Sequence, residues 1–172
     1  MHCCGLKRIC IAAILSALYF VFSGTMRIPF IGHISLDLGY IVLTFTAVCF
    51  GGVTAMIVGA FGCALESLLL SPLGFSVSWF VMNLIVGLFV GLTTYRLEKP
   101  YRWIGVPVIL IAVAVGTVAK TGIECWLYSI PFAVKAPKAL TAFVVDSAVM
   151  IASLPAAYMT KARLIRKKEV KK

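Results

Sequence analysis

Charge is what this sequence has least of. Asp, Glu, Lys and Arg make up 13% of its 172 residues, and only six residues are acidic. A soluble domain is nearer half apolar and one quarter charged; here 62% of the residues are hydrophobic and the mean hydropathy is +1.05. Such a chain cannot enclose its apolar surface in one water-soluble core, so it reads as an integral membrane protein. Histidine is nearly missing as well: His2 lies in the N-terminal tail and His33 in a polar connection, and solvent contact is expected of both. The sequence contains no HExxH, no GxSxG elbow and no cluster with metal-ligand spacing, so neither an enzyme nor a metal centre is expected. Alternating ten-residue strands are also missing, which argues against an outer-membrane barrel. With no repeat, low-complexity tract or linker, residues 1–172 read as a single domain that needs no cofactor.

What is present is a series of long apolar runs. Segments of about 20 such residues cross a bilayer as helices. Runs and their breaks predict six spans, at roughly 8–26, 38–50, 53–70, 77–95, 103–128 and 139–160. Gly51-Gly52, Ser71-Pro72, "RLEKPYR" and Pro131 mark breaks between them. The second span is short. The N-terminus resembles a signal peptide, but its apolar run lacks a small-x-small cleavage site before Arg27, so a retained first helix is expected. Cys3, Cys4, Cys10, Cys49, Cys63 and Cys125 show no paired metal-type spacing and read as small apolar residues.

The basic residues supply an orientation. Twelve Lys and Arg fall at the two termini and in the 96–102 loop, against Arg27, Lys135 and Lys138 in the opposite connections. Cytoplasmic flanks are Lys/Arg-rich, so both termini are expected in the cytoplasm, as an even number of spans requires. The basic tail "KARLIRKKEVKK" is read this way and not as a nucleic-acid site. The outer connections are then 27–37, 71–76 and 129–138; the first, "RIPFIGHISLD", is long enough to fold over something.

A charge at mid-bilayer costs about 2.5–3.5 kcal/mol on insertion scales, so it usually has a partner or a task. The predicted spans hold Glu66, Asn83, Lys120, Glu124 and Asp146. At 1.5 Å per residue all five fall in the outer half, roughly 6–12 Å below the surface. Trp79, Asn83, Gly87 and Gly91 recur every four residues on the fourth helix, and Gly116, Lys120 and Glu124 on the fifth, with Thr117 and Thr121 beside them. Small residues deeper in each stripe allow close packing, and the polar residues above them suit a cavity that opens outward. Plainer readings stand beside this one. Lys120 and Glu124 are either an intrahelical ion pair or ligand contacts; Asn83 is either an interhelical clamp or a contact. Glu66 near a helix end reaches the interface, while Trp79, Trp126 and Tyr128 fit an interfacial aromatic belt. Clustering on one side favours a binding site.

A channel needs a polar path through both halves, and the inner halves are apolar. A secondary transporter usually carries inverted repeats and broken helices, and neither is visible, although a small stand-alone permease or channel remains the competing class. An outward half-depth pocket without an engine suits a binding subunit that draws energy from partners. In length, six spans and cytoplasmic termini the chain resembles the substrate-binding S component of an energy-coupling factor (ECF) transporter, an ABC-type importer of vitamins in the bacterial cytoplasmic membrane. In "CIAAILSALYFVF", Ala13 and Ala17 match that family's AxxxA, and Ala12 and Ser16 form a parallel small pair. The resemblance implies that this face docks on a transmembrane T component driven by two separate ATPases. The lack of a Walker A GxxxxGK[ST] in this chain fits that division of labour.

The long first loop before "ISLDLGYIVLTFTAVCFGGVTAMIVGAFGCALESLL" and the glycine-rich "SPLGFSVSWFVMNLIVGLFVGL" extend the resemblance. It implies a lid over a ligand held among the outer ends of helices four to six. The contacts it implies are Trp79, Asn83, Lys120, Glu124 and Asp146, with Arg27 and Asp37 flanking the lid. Opposed acidic and basic groups near Trp suit a flat heteroaromatic with polar edges. Folate-like or queuosine-precursor compounds are ranked first on that basis, ahead of thiamine, riboflavin or pyridoxine.

Overall fold

A backbone in lipid must satisfy its own hydrogen bonds, and a helix does so within one segment. The computed structural model, which describes residues 3–25, 28–31, 34–70, 75–96 and 102–169, is accordingly all-helical apart from one small hairpin. Six helices follow in order: α1 Cys3–Thr25, α2 Gly39–Phe50, α3 Gly52–Leu70, α4 Val77–Arg96, α5 Arg102–Tyr128 and α6 Phe132–Glu169. Between α1 and α2 lie β1 (Ile28–Ile31) and β2 (Ile34–Leu36), paired antiparallel with Ile28 opposite Leu36. Five of the helices are long and apolar enough to cross a membrane; α2, with 12 residues, is not.

The helix ends have local causes. Gly51 takes a φ of 92°, in the left-handed region that disfavours a side chain, and its N–H caps α2 at the Ala47 carbonyl. Its own carbonyl accepts from Ala55 N–H, so α3 starts at once. The α5–α6 turn is tighter than the sequence suggested. Its expected span of 129–138 contracts to three residues, Ser129 to Pro131, and Val134 N–H donates to the Pro131 carbonyl. Lys135 and Lys138 therefore belong to α6, which accommodates Pro137 in its second turn. The expected first outer loop likewise contains the hairpin.

Hydrogen bonds between helices show an up-and-down bundle. Ser23 near the end of α1 meets Glu66 near the end of α3. Ser78 at the start of α4 meets Glu124 near the end of α5, which also holds Lys135 at the start of α6. These contacts define the hairpin end. At the opposite, basic end, Cys49 of α2 meets the Ala157 carbonyl, and Lys161 of α6 reaches the Thr94 and Tyr95 carbonyls that finish α4.

Helix α2 sits at the centre, packed against α1, α3, α4 and α6. Apolar around most of its circumference, it buries Tyr40, Val42, Leu43, Ala47 and Val48 completely or nearly so. The outer helices turn Ile14, Phe61, Leu68, Ile111, Val118 and Leu140 outward, the surface a lipid-facing bundle requires. Glycines bring α3 and α4 together. A Cβ on Gly87 would lie 2.9 Å from the Ala55 carbonyl, and one on Gly91 would run into the backbone of Gly52. As the α4 partner advances by four residues the α3 partner retreats by three, the mark of an antiparallel pair. The small stripes foreseen on α4 and α5 do not face one another: Gly87 and Gly91 face α3, while Gly116 of α5 packs on Met82 and Val86 of α4.

One dimension matters most for function. Twelve residues rise about 18 Å, against a hydrocarbon core of about 30 Å. Since α2 is anchored at the basic end by Cys49, it stops about 12 Å short of the hairpin end. The strand β2 packs against α6 above it.

Candidate ligand-binding site at the hairpin end

The floor of this region is the start of α2. Asp37 is buried, and its Oδ1 accepts the Gly39 N–H at 2.8 Å, which satisfies one of the open donors of the first turn. Tyr19 and Ser23 of α1 crowd Gly39 so closely that a Cβ there would lie 3.0 Å from each. Asp37 thus has a structural task in addition to any part in a lid.

The walls come from α4, α5 and α6. Lys120 places its ammonium 3.2 Å from the centre of the Trp79 ring, a cation–π contact joining α5 to α4. Glu124, one turn nearer the rim, accepts from Ser78 Oγ at 3.1 Å and pairs with Lys135 Nζ at 2.6 Å. Among the described residues no ion pair joins Lys120 to Glu124: spacing of four sets them on one face, yet each reaches a different neighbouring helix. Asp146 of α6 is 3% exposed, within Coulomb range of both Lys120 and Asp37, and its Oδ2 has no hydrogen-bond partner among the described residues.

Asn83 behaves differently from the others. It is 1% exposed; its Oδ1 accepts from Tyr19 OH at 3.0 Å, and its Nδ2 donates to the Trp79 carbonyl at 3.1 Å. Both ends of the amide are used inside the protein, tying α4 to α1. Glu66 accepts from Ser23 Oγ at 2.5 Å and closes α3 on α1 instead of reaching the interface alone. Arg27 lies outside the described residues.

The two small pairs on α1 also separate. Ala13 and Ala17 are exposed, whereas Ala12 and Ser16 are buried at 7% and 5%, and Ser16 Oγ returns to the Ala12 carbonyl. Ala12 and Ser16 are therefore corrected from an outward docking role to internal packing: adjacent positions are turned about 100° apart, and here the edge of the buried face falls between the two pairs. Lys161, read from the sequence as part of a solvated basic tail, is buried and caps α4. Sequence reasoning missed Tyr40, Ser147 and Lys135 as members of the site region. Only Lys135 left a signal, as a basic residue in the otherwise weakly basic outer connections.

The bundle has a solved counterpart. The S component for biotin from an ECF-type ABC transporter superposes with a TM-score of 0.68 over 94% of each chain, at 12% identity. The architecture is thus that of an ECF S component, six helices of which the second is short. No curated protein sequence matches the chain. The model of the family described as ECF-type riboflavin transporter, S component, matches residues 4–159, and the chain belongs to that family. It is a multi-pass membrane protein and a substrate-binding subunit of vitamin transport, not an enzyme.

Proposed function

We propose that this chain captures riboflavin from outside a bacterial cytoplasmic membrane and passes it inward through a T component driven by two ATPases. The observation that carries the choice of ligand is the family match over residues 4–159, whose description names riboflavin. It moves riboflavin above the folate-like and queuosine-precursor compounds that residue chemistry alone ranks first. The ligand lies in the roughly 12 Å between the start of α2 and the hairpin end, bounded by Trp79, Lys120 and Asp146, and the β1–β2 hairpin is its lid. Glu124 with Lys135 forms the rim. The dense basic flank at the opposite end, together with the positive-inside tendency, supports cytoplasmic termini. Exposed Ala13 and Ala17, between the protruding Ile9, Ile14, Leu18 and Val21, supply a small-residue seam on which a partner helix fits.

Riboflavin fluorescence titrated with the detergent-purified chain tests the ligand. Saturable quenching at submicromolar protein, competed by neither folate nor a queuosine precursor, is the expected result; no quenching, with stabilisation by another vitamin, refutes riboflavin. Uptake by liposomes holding this chain alone, without ATP, refutes the dependence on partners.

A further inference from the structure

In a lipid-embedded bundle, buried hydroxyls return to their own backbone. Thr44, Thr46, Thr94 and Thr121 each donate to the carbonyl four residues earlier. Five buried polar atoms escape this habit and lack a partner among the described residues: Tyr40 OH, Thr117 Oγ1, Asp146 Oδ2, Ser147 Oγ and Tyr158 OH. Tyr158 stands apart, beside Gly105 at the basic end. The other four belong to α2, α5 and α6 around the proposed chamber. Tyr40 is completely buried in the first turn of α2 and lies within Coulomb range of Asp146. Thr117 is one turn from Lys120, which faces the same carboxylate. Buried polar groups in native proteins are nearly always satisfied, and each exception calls for a reason.

The chemistry of the pair is specific. A carboxylate is an acceptor only, whereas a phenol can donate. Both unpartnered and within Coulomb range of each other, they match an edge in which an N–H adjoins a carbonyl: the N–H donates to Asp146 and the carbonyl accepts from Tyr40. A charge-assisted bond of this kind is about twice as strong as a neutral one. Asp146 lies 11 residues along α6 from the rim residue Lys135, about 16 Å along the helix, and within Coulomb range of Tyr40 in the first turn of α2, so this edge is read at the floor of the chamber, while the rim with Ser78, Glu124 and Lys135 suits hydroxyls. We propose that Asp146 and Tyr40 determine specificity by reading a lactam or imide edge of the ligand's ring, so that the chamber selects heteroaromatics carrying an unsubstituted ring N–H next to a carbonyl. This rests on the reading of the hairpin end as a riboflavin chamber.

The test uses riboflavin and N3-methylriboflavin, which differ only at the imide nitrogen, titrated into the full-length detergent-purified chain. Wild type is expected to bind riboflavin about 100-fold more tightly than the methylated analogue, the scale of one lost charge-assisted hydrogen bond with its buried acceptor left unpaired. Asp146→Asn is expected to lower riboflavin affinity about 100-fold and affinity for the analogue far less; Tyr40→Phe is expected to lower riboflavin affinity about 10-fold. Equal binding of both flavins by wild type overturns the assignment without any variant having to fold, and leaves the riboflavin reading intact. Undiminished riboflavin binding by Asp146→Asn overturns it equally. Failure of wild type to bind riboflavin overturns the riboflavin reading and this inference together.

Discussion

Asn83 offers the sharpest test of what is structural and what is binding at this end of the bundle. Asn83→Ala removes the acceptor of the Tyr19 hydroxyl and the donor to the Trp79 carbonyl. The hydroxyl of Tyr19, itself completely buried, is then left without a partner, at a cost of about 1–3 kcal/mol. Interhelical hydrogen bonds in membrane proteins contribute about 0.6 kcal/mol on average and up to about 1.7, because the unfolded chain in the membrane also finds partners. Adding the small cavity left beside Gly59, a loss of about 2 kcal/mol is expected, or about 4–8 °C in the midpoint of thermal unfolding for a chain of this size. Tyr19→Phe alone should cost about 1 kcal/mol. The double variant should be no less stable than Asn83→Ala, since the second change deletes the orphan, and the cycle should show coupling of about 1 kcal/mol. Thermal unfolding in detergent reads the stability, and riboflavin titration of the same samples should give affinities within about twofold of wild type once folded protein is counted. An Asn83→Ala protein with an unchanged midpoint and an affinity lowered tenfold or more would refute the clamp and return Asn83 to the ligand.

Two further predictions concern faces of helices. Ala13→Trp with Ala17→Trp should leave riboflavin binding intact and abolish ATP-driven uptake by the assembled transporter, whereas Ala12→Trp, at a buried position, should lower the yield of folded protein and with it binding. At the basic end, Lys161→Met keeps the length of the side chain but removes the donor to the Thr94 and Tyr95 carbonyls. Loss of a charged donor at a helix C-terminus should destabilise by about 1–2 kcal/mol and raise hydrogen exchange in the last turn of α4, with exchange at the start of α4 unchanged.

Much of the architecture was legible because its signals are local. Six helices follow from apolar runs and the glycines, prolines and charges between them, five of them long enough to span, and the observed ends agree with the expected ones within a residue or so, except at the start of α1 and at both ends of α6. Its early start was hidden by Pro137: a proline in the second turn frees only one carbonyl, and helices of membrane proteins absorb that. Its late end was hidden by charge, since the basic residues from Lys161 onward look like a solvated tail although the helix continues to Glu169. The hairpin was overlooked because three- and four-residue strands are too short to register as an alternating run. The cluster of Trp79, Lys120, Glu124 and Asp146 at one end was also legible, from depth alone.

What the sequence by itself determined was therefore the medium, the number of helices and the end of the bundle that carries polar groups. Each follows from summed hydropathy, from breaks that act on their immediate neighbours, or from spacing along one helix. Only the tertiary structure decided which polar groups answer each other. Lys120 and Glu124 share a helical face, yet one lies over Trp79 and the other holds Lys135; Asn83, one turn from Trp79, turns to Tyr19; of Ala12 and Ala13, adjacent in sequence, the first is buried and the second exposed. Those outcomes depend on how each helix is rotated about its axis and how deeply it sits. Rotation and depth are set by packing against several neighbours at once, here by the short central α2 and the glycine contacts of α3 with α4, and no single segment encodes them.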